Sequence, residues 1–230
     1  MNNLDFTNLK ENTTHGDFIL PFSIYKGTIS PSFPSIATHW HEEIEVIIVL
    51  DGSCNDRINL DSFLINKGDI LIIGSQSLHS LTSIPNKNMT WASFVFNINM
   101  LKSSSTDGAL LKYIAPLLNH EHQLPIIIKD NTTCYSKIFD VIENILYCYY
   151  DKDIAYELEL KSLLFKFFSL LYKNNLIKKH QSKNNITFNT TNKIKLVLNY
   201  INDNYSEDIS INTLAELCDY SEYHFMRFFK

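Results

Sequence analysis

Three histidines and one glutamate carry the chemistry of this sequence: His39, His41 and Glu45 in the stretch HWHEEIEVIIVLDG, and His79 at the end of KGDILIIGSQSLH. On a β-strand, residues two apart project from one face, so His39 and His41 share a side and Glu45 joins them if the strand stays regular. A second segment packed opposite brings the His79 imidazole to the same place. Neutral imidazoles and one carboxylate form a ligand set for a divalent metal such as Mn, Fe, Ni or Zn, with positions left for water or substrate. The same groups suit a polar organic ligand held inside a small barrel. A purely structural role is the third reading, and four co-facing polar groups lean away from it. Trp91, together with Trp40, either stacks on a sugar ring or fills the core.

The elements that position these residues are legible in outline. From about Asp17 to Asn97 the chain reads as all-β, through runs such as EIEVIIVL, DRINL, SFLIN, DILIIGS, LHSLTSI and TWASFVFNI. Asp51-Gly52 predicts a hairpin between two of them, and Lys67-Gly68 another turn. Many short strands imply a sandwich or barrel. ALLKYIAPLL predicts a short helical patch and LPIIIK a last strand. After Asn131 the apolar period changes: Ile138, Val141, Ile142, Ile145, Leu146 and Tyr149 mark one helix face. Leu160, Leu164, Phe167, Phe168 and Leu171 mark another, on a helix from about Asp153 to Lys173. These stripes bury against the barrel or against a second subunit, and the size of the aromatic-rich one favours a dimer interface. Residues 176–191, rich in Asn, Lys, Ser and Thr, read as a mobile linker.

From Asn192 the pattern predicts a helix ending near Asn204. Ser210 then caps a short helix with Leu214, Ala215 and Leu217 inward, Cys218-Asp219-Tyr220 turns, and Ser221 caps a third helix. Two short helices joined this way are a helix-turn-helix, whose second helix enters the DNA major groove. Spacing places Phe225, Phe228 and Phe229 in the core. It turns Glu222, Tyr223, Met226 and Arg227 outward, with Arg227 the candidate for a base edge or phosphate. Charge pulls the other way: Lys193, Lys195, Arg227 and Lys230 face six acidic residues in the same stretch.

The bulk numbers narrow the class. A chain of 230 residues with 45% hydrophobic and 20% charged residues is ordinary for a soluble globular protein. A net charge of −5 excludes a protein that coats nucleic acid by bulk electrostatics. The four cysteines are scattered and form no CxxC pair, which suggests reduced thiols in a cytosolic protein. MNNLDFTNLKEN has no apolar signal core, and Lys161 and Lys166 interrupt the greasiest stretch, so neither export nor a membrane span is expected.

Both ends of the chain resemble the AraC/XylS-type bacterial transcription regulators. HWHEEIEVIIVLDGS is similar to the first cupin motif, with His39, His41, Glu45 and Gly52 at its spacing. KGDILIIGSQSLHS is similar to the second, with Gly68 and His79 matching, and TLAELCDYSEYHFMRFFK is similar to the family's first helix-turn-helix. The resemblance implies a mainly β, cupin-like (double-stranded β-helix or jelly-roll) barrel with an N-terminal arm over residues 1–130. A helical dimerisation segment (131–175), a linker (176–191) and a partial helix-turn-helix (192–230) follow it. It implies a cytoplasmic, non-enzymatic homodimer whose partners are DNA and a small polar effector, the effector bound at His39, His41, Glu45, His79 and Trp91. DNA contacts are implied for Glu222, Tyr223, Met226 and Arg227. No resident cofactor is expected, a divalent metal at the histidines and Glu45 being the exception. Gly74 and Gln76 stand where the second motif has a proline and a second glycine, so the loop before His79 is expected to differ. Asp219 replaces a frequent glycine, a substitution that Asp tolerates in a left-handed turn. The chain stops at about the end of the first recognition helix and so reads as part of a longer regulator. The competing reading is a metal-dependent cupin enzyme, a dioxygenase or isomerase, which needs no linker and helix-turn-helix.

Overall fold

The computed structural model describes residues 9–59, 61–105, 107–179 and 184–229. Residues 1–8 of the expected arm, 180–183 of the expected linker and the Phe228 side chain lie outside the described residues. The chain divides into two compact units, Thr13–His180 and a second made of Met1–Asn12 together with Gln181–Lys230.

Long runs of β-branched residues with few interruptions make the first unit a β structure. Its strands are β1 (Phe22–Ile29), β2 (Ser35–His39), β3 (Ile44–Ile58), β4 (Asp61–Asn66), β5 (Ile70–Ile73), β6 (His79–Ser83) and β7 (Met89–Phe96). After the short helix α1 (Ala115–Leu118) come β8 (His122–Gln123) and β9 (Ile127–Ile128), so LPIIIK keeps only two residues in a strand. All the strand pairs are antiparallel. One layer runs β1-β7-β3-β5-β9, and the other joins β4 and β6 to the far half of β3, with β2 on β6.

Asp51-Gly52 is not the hairpin its composition predicts. Strand β3 runs through it, with a β-bulge: Val49 pairs with Trp91 and Asp51 with Thr90, leaving Leu50 extra. Gly52 sits at φ +77, with the Asn88 carbonyl where a side chain would stand. The extra residue bends β3 out of the first layer and into the second, where it pairs with β4 and β6. It also reverses which residues point inward. Before the bulge Ile47 and Val49 face the barrel interior; after it Cys54 and Ile58 do.

The outer face of the first layer is covered by α2 (Tyr135–Asp151) and α3 (Tyr156–Lys173). Val46, Ile48, Phe94 and Phe96 form one core with Ile138, Ile142, Ile145, Leu160, Leu164, Phe167, Phe168 and Leu171. Phe94 meets Phe167 edge-on at 6.4 Å, and Phe96 meets Phe168 at 6.2 Å. The stripe expected in a dimer interface is therefore buried on the chain's own sheet. The reason is that Ile44, Val46 and Ile48 make the outer face of β3 apolar, and it needs a cover. Tyr147 and Tyr150 of α2, Leu158 and Phe165 of α3 and Ile154 in the turn between them stay exposed. Barrel and helical pair, separate segments in the sequence reading, thus share one core. A short strand, β10 (Lys178–Lys179), closes the unit against β8.

The second unit holds α4 (Asn184–Asp203), α5 (Ile211–Leu217) and α6 (Glu222–Phe228). Helix α4 starts inside the segment expected to be a linker. Polar composition suggests a loop, yet no glycine or proline lies between Asn174 and Asp203 to end a helix. Ser210 and Ser221 cap α5 and α6, their hydroxyls accepting from the main-chain N–H of Thr213 (3.0 Å) and His224 (3.3 Å). Asp219 holds the turn between them at φ +55, as expected. Ala215, Val197, Cys218 and Phe225 form the small core. Two inward assignments fail: Leu217 is 36% and Phe229 38% exposed, each lying at the end of a seven-residue helix where the packed face runs out.

Candidate functional site

The site is assembled by four pieces of backbone, not by one strand. His39 ends β2, His41 lies in the β2–β3 connection, and Glu45 is the second residue of β3. His79 opens β6, where it pairs with His39 on one side and Ile58 on the other. The regular strand expected across His39–Glu45 is interrupted, yet the residues still converge. Gln76, at φ +62 in the loop that lacks the family's proline, is the clasp: its amide donates to the His41 carbonyl at 2.8 Å and its Nε2 to Glu42 at 2.9 Å.

His39, His41 and His79 present ligand atoms within 4.8 Å of one another. The His39 and His79 rings lie 4.1 Å apart, and those of His41 and His79 5.0 Å. Each Nδ1 faces a main-chain carbonyl: Ala37 at 2.8 Å for His39, Glu43 at 3.2 Å for His41, Ser77 at 3.0 Å for His79. A carbonyl only accepts, so each Nδ1 carries a proton and each ring is fixed in orientation, the outer-shell arrangement that prepares Nε2 for a ligand. Oε2 of Glu45 lies 3.7 Å from Nε2 of His41 and 3.5 Å from Nε2 of His79.

Burial pushes the Glu45 carboxyl up. Hydrogen bonding from His41 and His79, with their charge, outweighs it and holds Glu45 well below the usual carboxylate range. An imidazole lone pair does not face an ionised carboxylate at this distance without a proton or cation between them. Two species meet the requirement: imidazolium rings that donate to Glu45, or a divalent cation bound by the Nε2 atoms and the carboxylate. Donors about 2.1 Å from a tetrahedral metal stand about 3.4 Å apart. The Glu45 distances to His41 and His79 are close to this, while the three histidine ligand atoms, within 4.8 Å of one another, are set wider.

Two residues that the sequence reading passed over join the site. His15 is buried, with Nδ1 2.8 Å from the Tyr25 hydroxyl and its ring 5.4 Å from that of His41. A lone histidine in a polar arm carries no spacing signal. Asp56 is buried beyond the bulge, paired with Leu81 one inward position from His79. Burial pushes its carboxyl up to about 7; Glu45 adds to the push, while His79 and the Arg57 amide oppose it. Counting alternate residues from Glu45 puts Asp56 outside, and only the bulge brings it in. Beside it, burial and Asp56 push the Cys54 thiol up to about 12, so it stays neutral. Trp91 packs its indole over Gly27 and belongs to the barrel's apolar cluster, with its Nε1 buried.

On α6, Glu222, Tyr223, Met226 and Arg227 are all exposed, at the spacing of one helix face. The Arg227 guanidinium lies 5.8 Å from the Tyr223 ring.

A family model described as an AraC-like ligand binding domain matches residues 29–168. The chain is 25% identical over 225 residues to an uncharacterized HTH-type transcriptional regulator, YdeC, of Bacillus subtilis, covering 97% of this chain and 75% of the relative. Among solved structures it is similar to the polyketide cyclase RemF of Streptomyces resistomycificus (TM-score 0.30, 20% identity, 33% of this chain and 54% of that one). A cupin protein of Bacteroides fragilis is similar at TM-score 0.33 and 17% identity, over 38% of this chain and 75% of that one. Likenesses this slight decide nothing about chemistry.

Proposed function

The chain belongs to the AraC-like ligand-binding domain family, and on that premise we propose that it is an effector-responsive, sequence-specific DNA-binding transcription regulator. One observation carries the reading: a single chain holds both a barrel with convergent polar groups and a capped helix-turn-helix that presents Glu222, Tyr223, Met226 and Arg227 outward. A metal-dependent dioxygenase or isomerase has no use for the second unit. The regulator works in the cytoplasm as a homodimer. Its effector, a small polar molecule, binds among His39, His41, Glu45 and His79, with Trp91 in the wall. Ordering of the segment around His15, which already touches His41, passes the bound state on and shifts the population of DNA-binding-competent dimers.

The test is selection of DNA fragments by the purified protein, followed by affinity measurement with and without candidate metabolites. Arg227→Ala is expected to weaken the selected site by about 1–3 kcal/mol, roughly 5- to 150-fold. Unchanged affinity removes Arg227 from the interface. His41→Ala or His79→Ala is expected to abolish the effector's influence on DNA affinity while leaving affinity without effector unchanged. A normal response in both variants removes the barrel site.

A second reading is favoured by the carbonyl-anchored Nδ1 atoms: His39, His41, His79 and Glu45 hold a divalent cation that the effector then engages. Elemental analysis of tag-free protein is expected to give near-stoichiometric metal, lost in a His39→Ala/His41→Ala double variant. A metal-free protein leaves the site to imidazolium rings and an organic effector.

A further inference from the structure

Inside the barrel one acid has no task in the fold. Asp56 is 1% exposed, and among the described residues no side chain hydrogen-bonds to either of its carboxylate oxygens; the neighbouring Arg57 amide is the one group turned toward it. Its surroundings repeat the pattern. Ser93 Oγ and Trp91 Nε1, both on the inner face of β7, are likewise buried and without a hydrogen-bond partner. The registers place these groups about one interior. Asp56 stands opposite Leu81, one inward position along β6 from His79. Glu45 stands opposite Val95, one inward position along β7 from Ser93. Burying a polar group without a partner costs about 1–3 kcal/mol, and more when it is charged. Several such groups on the inner faces of facing strands, in a ligand-binding barrel, mark the surface that a ligand completes.

The donors and acceptors say what that ligand offers. Asp56 and Glu45 supply carboxylate oxygens, whereas Trp91 supplies a single N–H and Ser93 one hydroxyl. The inner-face positions of the described strands hold no lysine or arginine. A carboxylate or phosphate ligand would meet Asp56 with no lysine or arginine beside it, the charge of His41 and His79 being matched by Glu45. A neutral polyol would hydrogen-bond to Asp56 but leave its charge uncompensated at low dielectric. An ammonium group brings three N–H donors and the missing charge together.

We propose that the barrel's ligand carries a protonated amino group and that Asp56 is the residue that receives it. This rests on the reading of the barrel as the effector site and names the chemistry of that effector. Asp56 lies outside the group of histidines that could hold a metal, so the amine is recognised beside that centre and not by it.

The test uses the full 230-residue chain in a thermal-shift screen of primary amines, among them ethanolamine, 1,4-diaminobutane and amino sugars. Each is paired with its hydroxyl counterpart, and hits are titrated by calorimetry. An amine that raises Tm where its hydroxyl counterpart does not, with at least a tenfold loss of affinity in Asp56→Asn, supports the proposal. Asn keeps the size of the side chain, and the melting curve of the unliganded variant verifies that it folds. An amine that binds Asp56→Asn as tightly as the natural protein overturns it. So does a screen in which no amine binds. If hydroxyl compounds bind instead, with loss in His79→Ala but not in Asp56→Asn, the barrel site stands and the amine falls. Binding untouched by either substitution removes both.

Discussion

Gly52→Ala is expected to lower the unfolding free energy by more than about 3 kcal/mol, one of the largest single-residue effects available in this chain. A β-carbon at Gly52 would lie 1.8 Å from the carbonyl oxygen of Asn88 and 2.8 Å from its carbon. Both are main-chain atoms of the residue before β7, and that oxygen accepts from the Ser53 amide, so it cannot swing aside as a flexible side chain would. The φ of +77 adds a conformation that residues with side chains rarely adopt. Relief would mean unmaking the bulge, which would turn Cys54, Asp56 and Ile58 outward in exchange for Asn55 and Arg57. Urea denaturation at pH 7 measures the loss. Gly108→Ala, whose added carbon meets nothing within 4 Å, is the control and should stay within about 0.5 kcal/mol of the natural protein. A Gly52→Ala midpoint equal to that of the control would mean that the bulge is not as described.

Asp56→Asn should do the reverse, stabilising the fold in a pH-dependent way. The native carboxyl is raised from 3.8 to about 7 because burial disfavours its charged form. Below about pH 4 the group is protonated folded or unfolded and costs nothing. Between 4 and 7 the unfolded chain ionises first, so the natural protein loses stability as pH rises. Above 7 the loss is complete. At about 1.4 kcal/mol per pH unit the full effect is ~4 kcal/mol. The difference between variant and natural protein, taken from denaturation at pH 4.5, 6 and 8, should therefore grow with pH and then level. Glu45 is common to both proteins, and its lowered pKa works in the opposite sense. A flat difference would place Asp56 in a polar environment. An acid that weakens the empty fold at neutral pH is the expected stability cost of a binding group held ready.

Alternation, helical period and caps are local properties, and these could be read directly from the chain. Short β-branched runs marked the strands; Leu160, Leu164, Phe167 and Phe168 marked the buried face of α3; Ser210 and Ser221 marked the starts of α5 and α6. His39, His41, Glu45 and His79 stand out by type and spacing alone. What those residues share a space with was decided by tertiary structure. The Asp51-Gly52 pair has the composition of a hairpin, and only the β7 backbone lying against Gly52 makes it a bulge, which turns Asp56 inward. The aromatic stripe of α3 says that a surface must be covered but not which one. The outer face of β3, apolar because both its sides are buried, supplied that surface within the same chain. His15 reaches His41 through a path from β1 that no short-range pattern records. Residue types and local periods determined the elements and the chemistry on offer, because they depend on neighbours a few positions away. The composition of the site was left to packing, because it depends on contacts between segments distant in sequence.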